Sequence, residues 1–219
     1  MKIKVGRAAL TAVVLSVSVG CGAGTAGPGT GERTAAPSSA SPPAARGLSS
    51  RDLQSRWWTW AASEPERTNP VVDQDGSACA RNQAKDVWFL AGSFGDRVKR
   101  TCTVPDGVPL AFPLVNLVAD PSSCEGFMSA AKGSATLDGK RIDSEEHPGE
   151  RISVLGVADN PVTGTDGRTF GTGCGLWVQL PPLEPGPHVL TIRGESGDLA
   201  VAVDYSLDVG TASQASSWA

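Results

Sequence analysis

Residues 188–209 read HVLTIRGESGDLAVAVDYSLDV. Two strand-like runs, His188–Arg193 and Leu199–Val209, flank Glu195-Ser196-Gly197-Asp198, whose Gly and polar neighbours suit a reversal of the chain. The stretch therefore predicts an antiparallel C-terminal hairpin. Working back toward the N-terminus, the same kind of run recurs. Ile152–Val157 and Leu176–Leu180 are short and β-branched or apolar, and Thr136-Leu137-Asp138-Gly139-Lys140 carries the Asp-Gly pair of a two-residue hairpin turn. Leu110–Val118 is strongly apolar, with Pro113 marking an edge or a bulge. Val98, Arg100, Cys102 and Val104 alternate with polar residues as a half-buried strand does, and Pro105-Asp106-Gly107 supplies the turn after it. Val87-Trp88-Phe89-Leu90 is a buried-type run ended by Gly92.

Eight or so strands at this spacing, without regular strand–helix alternation, predict a mainly β protein: an antiparallel β-sandwich, immunoglobulin-like or jelly-roll-like. Two short helices complete it. Ser49 or Ser50 can cap one from about Arg51 to Ala62, where Leu53, Trp57, Trp60 and Ala61 form one apolar stripe while Trp58 points elsewhere. Pro65 and Pro70 forbid its continuation, and the stripe is expected to staple the helix onto a sheet. Ser122-Ser123-Cys124-Glu125 has capping-box spacing and predicts a second short helix to about Lys132. Residues 48–210 are enough for one domain with a real core.

The first twenty residues differ in kind. Lys2, Lys4 and Arg7 precede an apolar run from Ala8 to about Gly20, too short to span a bilayer but suited to a signal peptide. Ser18-Val19-Gly20-Cys21 is similar to a lipobox, with Ser18 where Leu is usual, and predicts cleavage before Cys21 and lipidation of its thiol. The competing reading is cleavage after a motif such as Thr25-Ala26, which would release the protein. Cysteine arithmetic favours the anchor, because Cys21 is the odd one of five and an unmodified thiol is a liability in an oxidising space. Residues 21–47 hold almost no large apolar side chain and predict a disordered tether, with an end-to-end distance of roughly 28 Å as a flexible coil. Residues 211–219 read as a flexible tail. The outer face of the cytoplasmic membrane is the expected location.

Export leaves Cys79, Cys102, Cys124 and Cys174 to form two disulfides. Three connectivities are open, of which the sequential pairing, Cys79–Cys102 with Cys124–Cys174, is preferred. Loop-closure entropy gives the two bridges roughly 3.5 and roughly 4 kcal/mol. No C-x-x-C knuckle and only two histidines argue against zinc, and no cofactor is expected. Removing the leader subtracts three positive charges from 19 Lys and Arg and none of the 23 Asp and Glu, so the mature balance is 16 against 23, or −7. An acidic surface disfavours nucleic acid, anionic lipid and anionic wall polymers.

Several segments invite a chemical reading. Ala91-Gly92-Ser93-Phe94-Gly95 is a degenerate nucleophile elbow, and Ser93 with His147 or His188 would make a hydrolase. A strand rather than a helix is expected to follow, which makes the segment a hairpin. His147 sits among Asp143, Glu145, Glu146 and Glu150, a group able in principle to ligate a metal but more simply a solvated loop. His188 is most simply a packed or capping residue. Asp73, Asp75 and Ser77 echo the start of a calcium loop, but the Gly falls fourth and the twelfth residue is Ala84, so an EF-hand fails. Gly171-Thr172-Gly173-Cys174-Gly175 precedes a strand and is no phosphate cradle. Trp58 and Trp88 are candidate platforms for a glycan, provided that they are exposed in a groove.

Trp57-Trp58-x-Trp60, Asn69-Pro70-Val71, Val87-Trp88-Phe89-Leu90-Ala91-Gly92, Arg100-x-Cys102-x-Val104-Pro105-x-Gly107 and Phe112-Pro113 stand in order, followed by Pro182-Leu183-x-Pro185-Gly186-x-His188-x-Leu190 and Tyr205-x-Leu207-x-Val209. Together they resemble a family of exported bacterial proteins, common in actinomycetes, to which no activity is attached. The resemblance implies export, a β-rich fold and paired cysteines. The expected function is that of a membrane-anchored, non-enzymatic module binding an envelope protein or glycan. The alternatives are the Ser93 hydrolase, secreted, and a purely structural envelope protein.

Overall fold

The computed structural model describes residues 47–210, so the leader, Cys21, nearly all of the tether and the tail lie outside the described residues. Ser49 caps α1 (Ser50–Ala61), its hydroxyl accepting the Asp52 amide. Leu53, Trp57, Trp60 and Ala61 are buried as the stripe requires; Trp58 is buried as well. The strands follow as β1 (Trp88–Phe89), β2 (Arg97–Pro105) and β3 (Leu110–Ala119). After α2 (Pro121–Ala130) come β4 (Lys132–Leu137), β5 (Lys140–Ile142), β6 (Glu145–Gly156), β7 (Gly167–Leu180), β8 (Gly186–Ser196) and β9 (Leu199–Gly210).

Two sheets pack face to face, in the orders β1-β3-β7-β6 and β2-β9-β8-β4-β5. Leu110, Phe112, Leu176 and Val178 from the first interdigitate with Val98, Val104, Leu190, Ile192, Val203 and Leu207 from the second. On its other face the first sheet is covered by α1, where Trp57 and Trp60 pack with Phe89, Ala111, Ile152, Val154 and Trp177. Both faces of β3 are thus buried, which is why Leu110–Val115 is apolar without alternation. The mainly β, sandwich-like class expected from the strand spacing is the one observed.

The sheets are mixed rather than wholly antiparallel. β3, β7 and β6 are antiparallel neighbours, as are β9, β8, β4 and β5, but β1 pairs parallel with β3 and β2 parallel with β9. The cause lies in residues 90–96. They do not turn back as the expected hairpin; they carry the chain from one sheet to the other, so β2 arrives beside β9 running in the same direction. The alternation in β2 holds: Val98, Arg100, Cys102 and Val104 are inward, in register with Val203, Tyr205, Leu207 and Val209.

Local chemistry fixes the rest. Asp138-Gly139 makes the two-residue turn between β4 and β5, with φ of 51° and 77°. Pro113 marks a bulge, where the β3–β7 register slips between Pro113 and Val115 and leaves both Leu114 and Val115 in the core. Helix α2 is capped by Asp120, two residues before the expected Ser122, because Pro121 suits the first helical position and the Asp120 carboxylate accepts the Ser123 amide at 3.0 Å. β6 and β7 begin seven and nine residues earlier than expected, at Glu145 and Gly167 against Ile152 and Leu176, since a backbone ladder forms there between polar and glycine residues that carry no apolar alternation. Both disulfides adopt the sequential pairing, each with Cα atoms 5.9 Å apart. Cys79–Cys102 ties the loop before β1 to β2, and Cys124–Cys174 ties α2 to β7.

Candidate functional site

Arg100 occupies an inward position of β2 and is 2% exposed. A charge so placed needs every donor met. Its Nε donates to the Asp73 carbonyl at 2.8 Å and its Nη2 to the Val71 carbonyl at 2.8 Å. Its Nη1 faces the Ala91 carbonyl, the Gly92 carbonyl and the Tyr205 hydroxyl at 3.0, 2.9 and 3.0 Å. Each of these acceptors is a neutral oxygen. Tyr205, opposite in register, donates to the Ala91 carbonyl at 2.8 Å and accepts the Ala91 amide at 3.1 Å. The guanidinium also lies 5.8 Å from the Tyr205 ring centre. Burial pushes the Tyr205 phenol up, so it keeps its proton and its role as donor. Two irregular segments, 71–73 and 91–92, are thereby pinned to the sandwich.

Beside this network is a pocket of about 50 Å³, lined by Trp57 and Trp58 of α1, Val71, Gly92–Phe94, Pro113, Leu114 and Asn116 of β3, and Leu199 and Val201 of β9. Its walls are mostly apolar. Trp57 is held by its indole N–H on the Leu90 carbonyl at 3.0 Å and by edge-on packing against Trp58 and Trp177, at 4.9 and 5.6 Å between ring centres. Trp58 Nε1 and Asn116 Nδ2 are buried and have no hydrogen-bond partner in the protein. Phe94 sits on the rim, 52% exposed, followed by Gly95 at φ +110°. A second, shallower depression of about 400 Å³ runs between α1 and β6, past Arg56, Thr59, Asn82, Ser153 and Arg168.

The residues singled out from sequence are dispersed. Ser93 is buried and its hydroxyl donates to the Asp96 carbonyl at 2.6 Å, with neither histidine on it. His188 makes a 2.7 Å contact with Asp138 through Nδ1 and one of 2.8 Å with the Glu184 carbonyl through Nε2, the capping role expected. His147 is not on a solvated loop. It is an inward residue of β6, 6% exposed, opposite the side-chain-free Gly175, and its Nδ1 meets Ser50 Oγ at the start of α1. Its Nε2 is 3.5 Å from Glu145 Oε2. Asp73 and Asp75 spend their carboxylates on their own loop, accepting the amides of Asp75, Ala78 and Ser77. The glycines of 171–175 fall inside β7, where a Cβ on Gly173 would lie 2.8 Å from Gln54 Oε1 of α1. They serve close packing.

Trp58 and Trp88 are 7% and 6% exposed, so neither offers a face for sugar stacking. Trp88 points into the inter-sheet core and Trp58 under α1, because the sheet that carries β1 is covered on both sides. Cys79, Cys102, Cys124 and Cys174 are all bonded; Cys21 lies outside the described residues. Sequence reading missed Asn116, Phe94, Ser50 and the Arg100–Tyr205 pair as site residues. Two signals were available: a lone amide within the apolar run Leu110–Val118, and a charge on the inward side of an alternating strand. Comparison of the chain with protein-family models, with curated proteins and with solved structures gives no match.

Proposed function

We propose that the protein is a membrane-anchored surface lipoprotein, held by Cys21, whose folded part is a non-enzymatic binding module for an envelope protein or glycan. The observation that supports binding is the pocket beside α1. A small, mostly apolar recess with the exposed Phe94 among its lining residues suits a small apolar group of a partner. The Arg100–Tyr205 network supports it further by making that recess rigid. The anchor is supported by the leader and the odd cysteine, and no helix among the described residues is long and apolar enough to cross a membrane.

Two measurements test the reading together. Intact mass of detergent-extracted protein should start at Cys21 with diacylglyceryl added and rise by four hydrogens on reduction. Cosedimentation with an envelope fraction should be saturable and weakened by Asn116→Leu; a soluble, unlipidated species with no saturable envelope partner would refute it and leave a structural role. A hydrolase reading moves from Ser93 to Ser50, the serine that His147 Nδ1 meets while Glu145 lies 3.5 Å from the other ring nitrogen. It is the second reading because Ser50 Oγ also accepts a hydrogen bond from Gln54 Nε2, at 3.2 Å, and lines neither pocket described above. Labelling of Ser50 by a fluorophosphonate probe, abolished in His147→Gln, would favour it.

A further inference from the structure

We infer that the exposed face of the β6–β7 hairpin binds an acidic envelope glycan, its carboxylates on Arg151 and Arg168 and a sugar ring against Phe170. The inference rests on the binding reading above; it adds a second surface and names the ligand class.

The hairpin places these residues by register. Ile152 and Val154 of β6 pack under α1, so Arg151, Ser153 and Leu155 project from the opposite face. Thr172, Phe170 and Arg168 of β7 stand directly across from them. Phe170 is 65% exposed, the most open large apolar side chain among the described residues, and Leu155 is exposed too. The Arg151 guanidinium lies 5.7 Å from the centre of the phenyl ring, and Arg168 follows on the same face of β7. Two cations thus bracket one open aromatic. β6 is an edge strand, and Ser153 and Arg168 also line the depression of about 400 Å³ beside α1. Ser55 and Thr59, one turn apart on α1, line its other side.

Charge selects the ligand. Neither arginine is ion-paired among the described residues, where Glu150 turns to Arg51 and Asp86 to Arg56. Arg168 Nη1 donates to Ser153 Oγ at 3.0 Å, which steadies the side chain and leaves most of its fork for an anion. No carboxylate among the described residues lines the depression. The chain is acidic overall, but a screening length of about 8 Å at physiological salt lets these local cations decide. An oxyanion alone would leave Phe170 in water, and an apolar segment would strip water from the hydroxyls of Ser55, Thr59 and Ser153 without replacing it. A carboxylated sugar brings charge for the arginines, an apolar ring face for the phenyl and hydroxyls for the depression. A membrane fits less well. The chain enters the domain at Gly47, against Gln179, nine residues along β7 from Phe170, or roughly 30 Å at 3.3 Å per residue. The tether therefore joins one end of β7 and the arginines stand toward the other.

The test titrates the full mature protein in detergent, calorimetrically, with the galacturonic acid trimer and with its methyl ester, which keeps the rings and loses the charge. The acid should bind saturably and at least about tenfold tighter, and the preference should shrink as salt rises from about 50 to about 500 mM. Arg168→Gln and Arg151→Gln should each weaken the acid about tenfold, the loss expected of one charge-assisted bond. Phe170→Ala should weaken acid and ester alike. All three side chains are exposed, so melting temperatures should stay within about 2 °C of wild type. Equal affinity for acid and ester, absence of binding, or wild-type affinity in the double arginine variant overturns the inference. So does tighter binding of a glutamate hexamer, which would give the face to a protein. Arginine-dependent flotation of the Cys21→Ser chain with phosphatidylglycerol vesicles would give it to a membrane and overturn the inference equally. Cosedimentation with the envelope fraction, run in parallel, separates the two failures: binding retained there removes only the acidic-glycan assignment, and binding lost there removes the module reading as well.

Discussion

Tyr205→Phe deletes a single oxygen and no packing volume, so it isolates what the buried network contributes. The hydroxyl takes part in three hydrogen bonds. The Ala91 carbonyl keeps Arg100 Nη1 when it goes, so that bond leaves no orphan. The Ala91 amide loses the acceptor that the hydroxyl gave it; a buried donor so abandoned costs about 1–3 kcal/mol. Arg100 Nη1 loses a charge-assisted bond, worth about 1.5 kcal/mol at the low end, and keeps two carbonyls. The sum is about 3 kcal/mol. At about 2–4 °C per kcal/mol for a domain of this size, the melting temperature should fall by about 6–12 °C. Urea denaturation with disulfides intact gives the free energy, and hydrogen exchange at the Ala91 amide shows whether the loss is local. A change under 1 kcal/mol, with exchange at Ala91 unaltered, would mean that the segment is held by something other than this hydroxyl.

Further expectations are independent of it. Hydrogen bonds to Asp138 and to the Glu184 carbonyl push the His188 imidazole above 6.5, and bonds from the Val189 amide and His188 pull the Asp138 carboxyl below 3.8. The His188 contribution is complete below about pH 6.5 and is lost as pH rises through its raised value; the Asp138 contribution is complete above about pH 3.8 and is lost as pH falls through its lowered one. The urea midpoint should therefore decline from pH 6 to pH 8, and a decline just as large in His188→Gln would remove this account. Gly194→Ala should destabilise at or above the upper end of the usual 1–3 kcal/mol for overpacking, because the new Cβ would lie 2.1 Å from the Leu114 carbonyl oxygen, which is backbone. Gly173→Ala should cost about 1 kcal/mol, since the side-chain ends of Ile152 and Gln54 that it meets can move. Thermal melts showing the opposite order would contradict the close approach of β8 to β3.

Much of this fold is legible along the chain, because its signals are local. The alternation Val98-Arg100-Cys102-Val104, the Asp138-Gly139 turn and the stripe Leu53-Trp57-Trp60-Ala61 each involve residues near enough in sequence to constrain one another, whereas the cysteine pairs, 23 and 50 residues apart, follow from counting thiols rather than from proximity. Where that locality ends, so does the reading. The polar start of β6 and glycine-rich β7 pair through backbone, and the glycines answer to the close approach of α1 and β3, so the sequence carries no alternation there. Pro121 moved the cap of α2 to Asp120, a preference that capping-box spacing alone overlooks.

By itself, then, the sequence determined strands, turns, the first helix and a cysteine count that suits two bridges. The tertiary structure decided which neighbours those elements take. It ran β2 parallel to β9, buried Trp88 between the sheets and Trp58 under α1, and gave His147 to Ser50 rather than to Ser93. The reason is one of range. Backbone and side-chain periodicity acts over a few residues, whereas the partners in the core and the pocket lie tens of residues apart and meet only because two sheets and a helix must bury their apolar faces against one another.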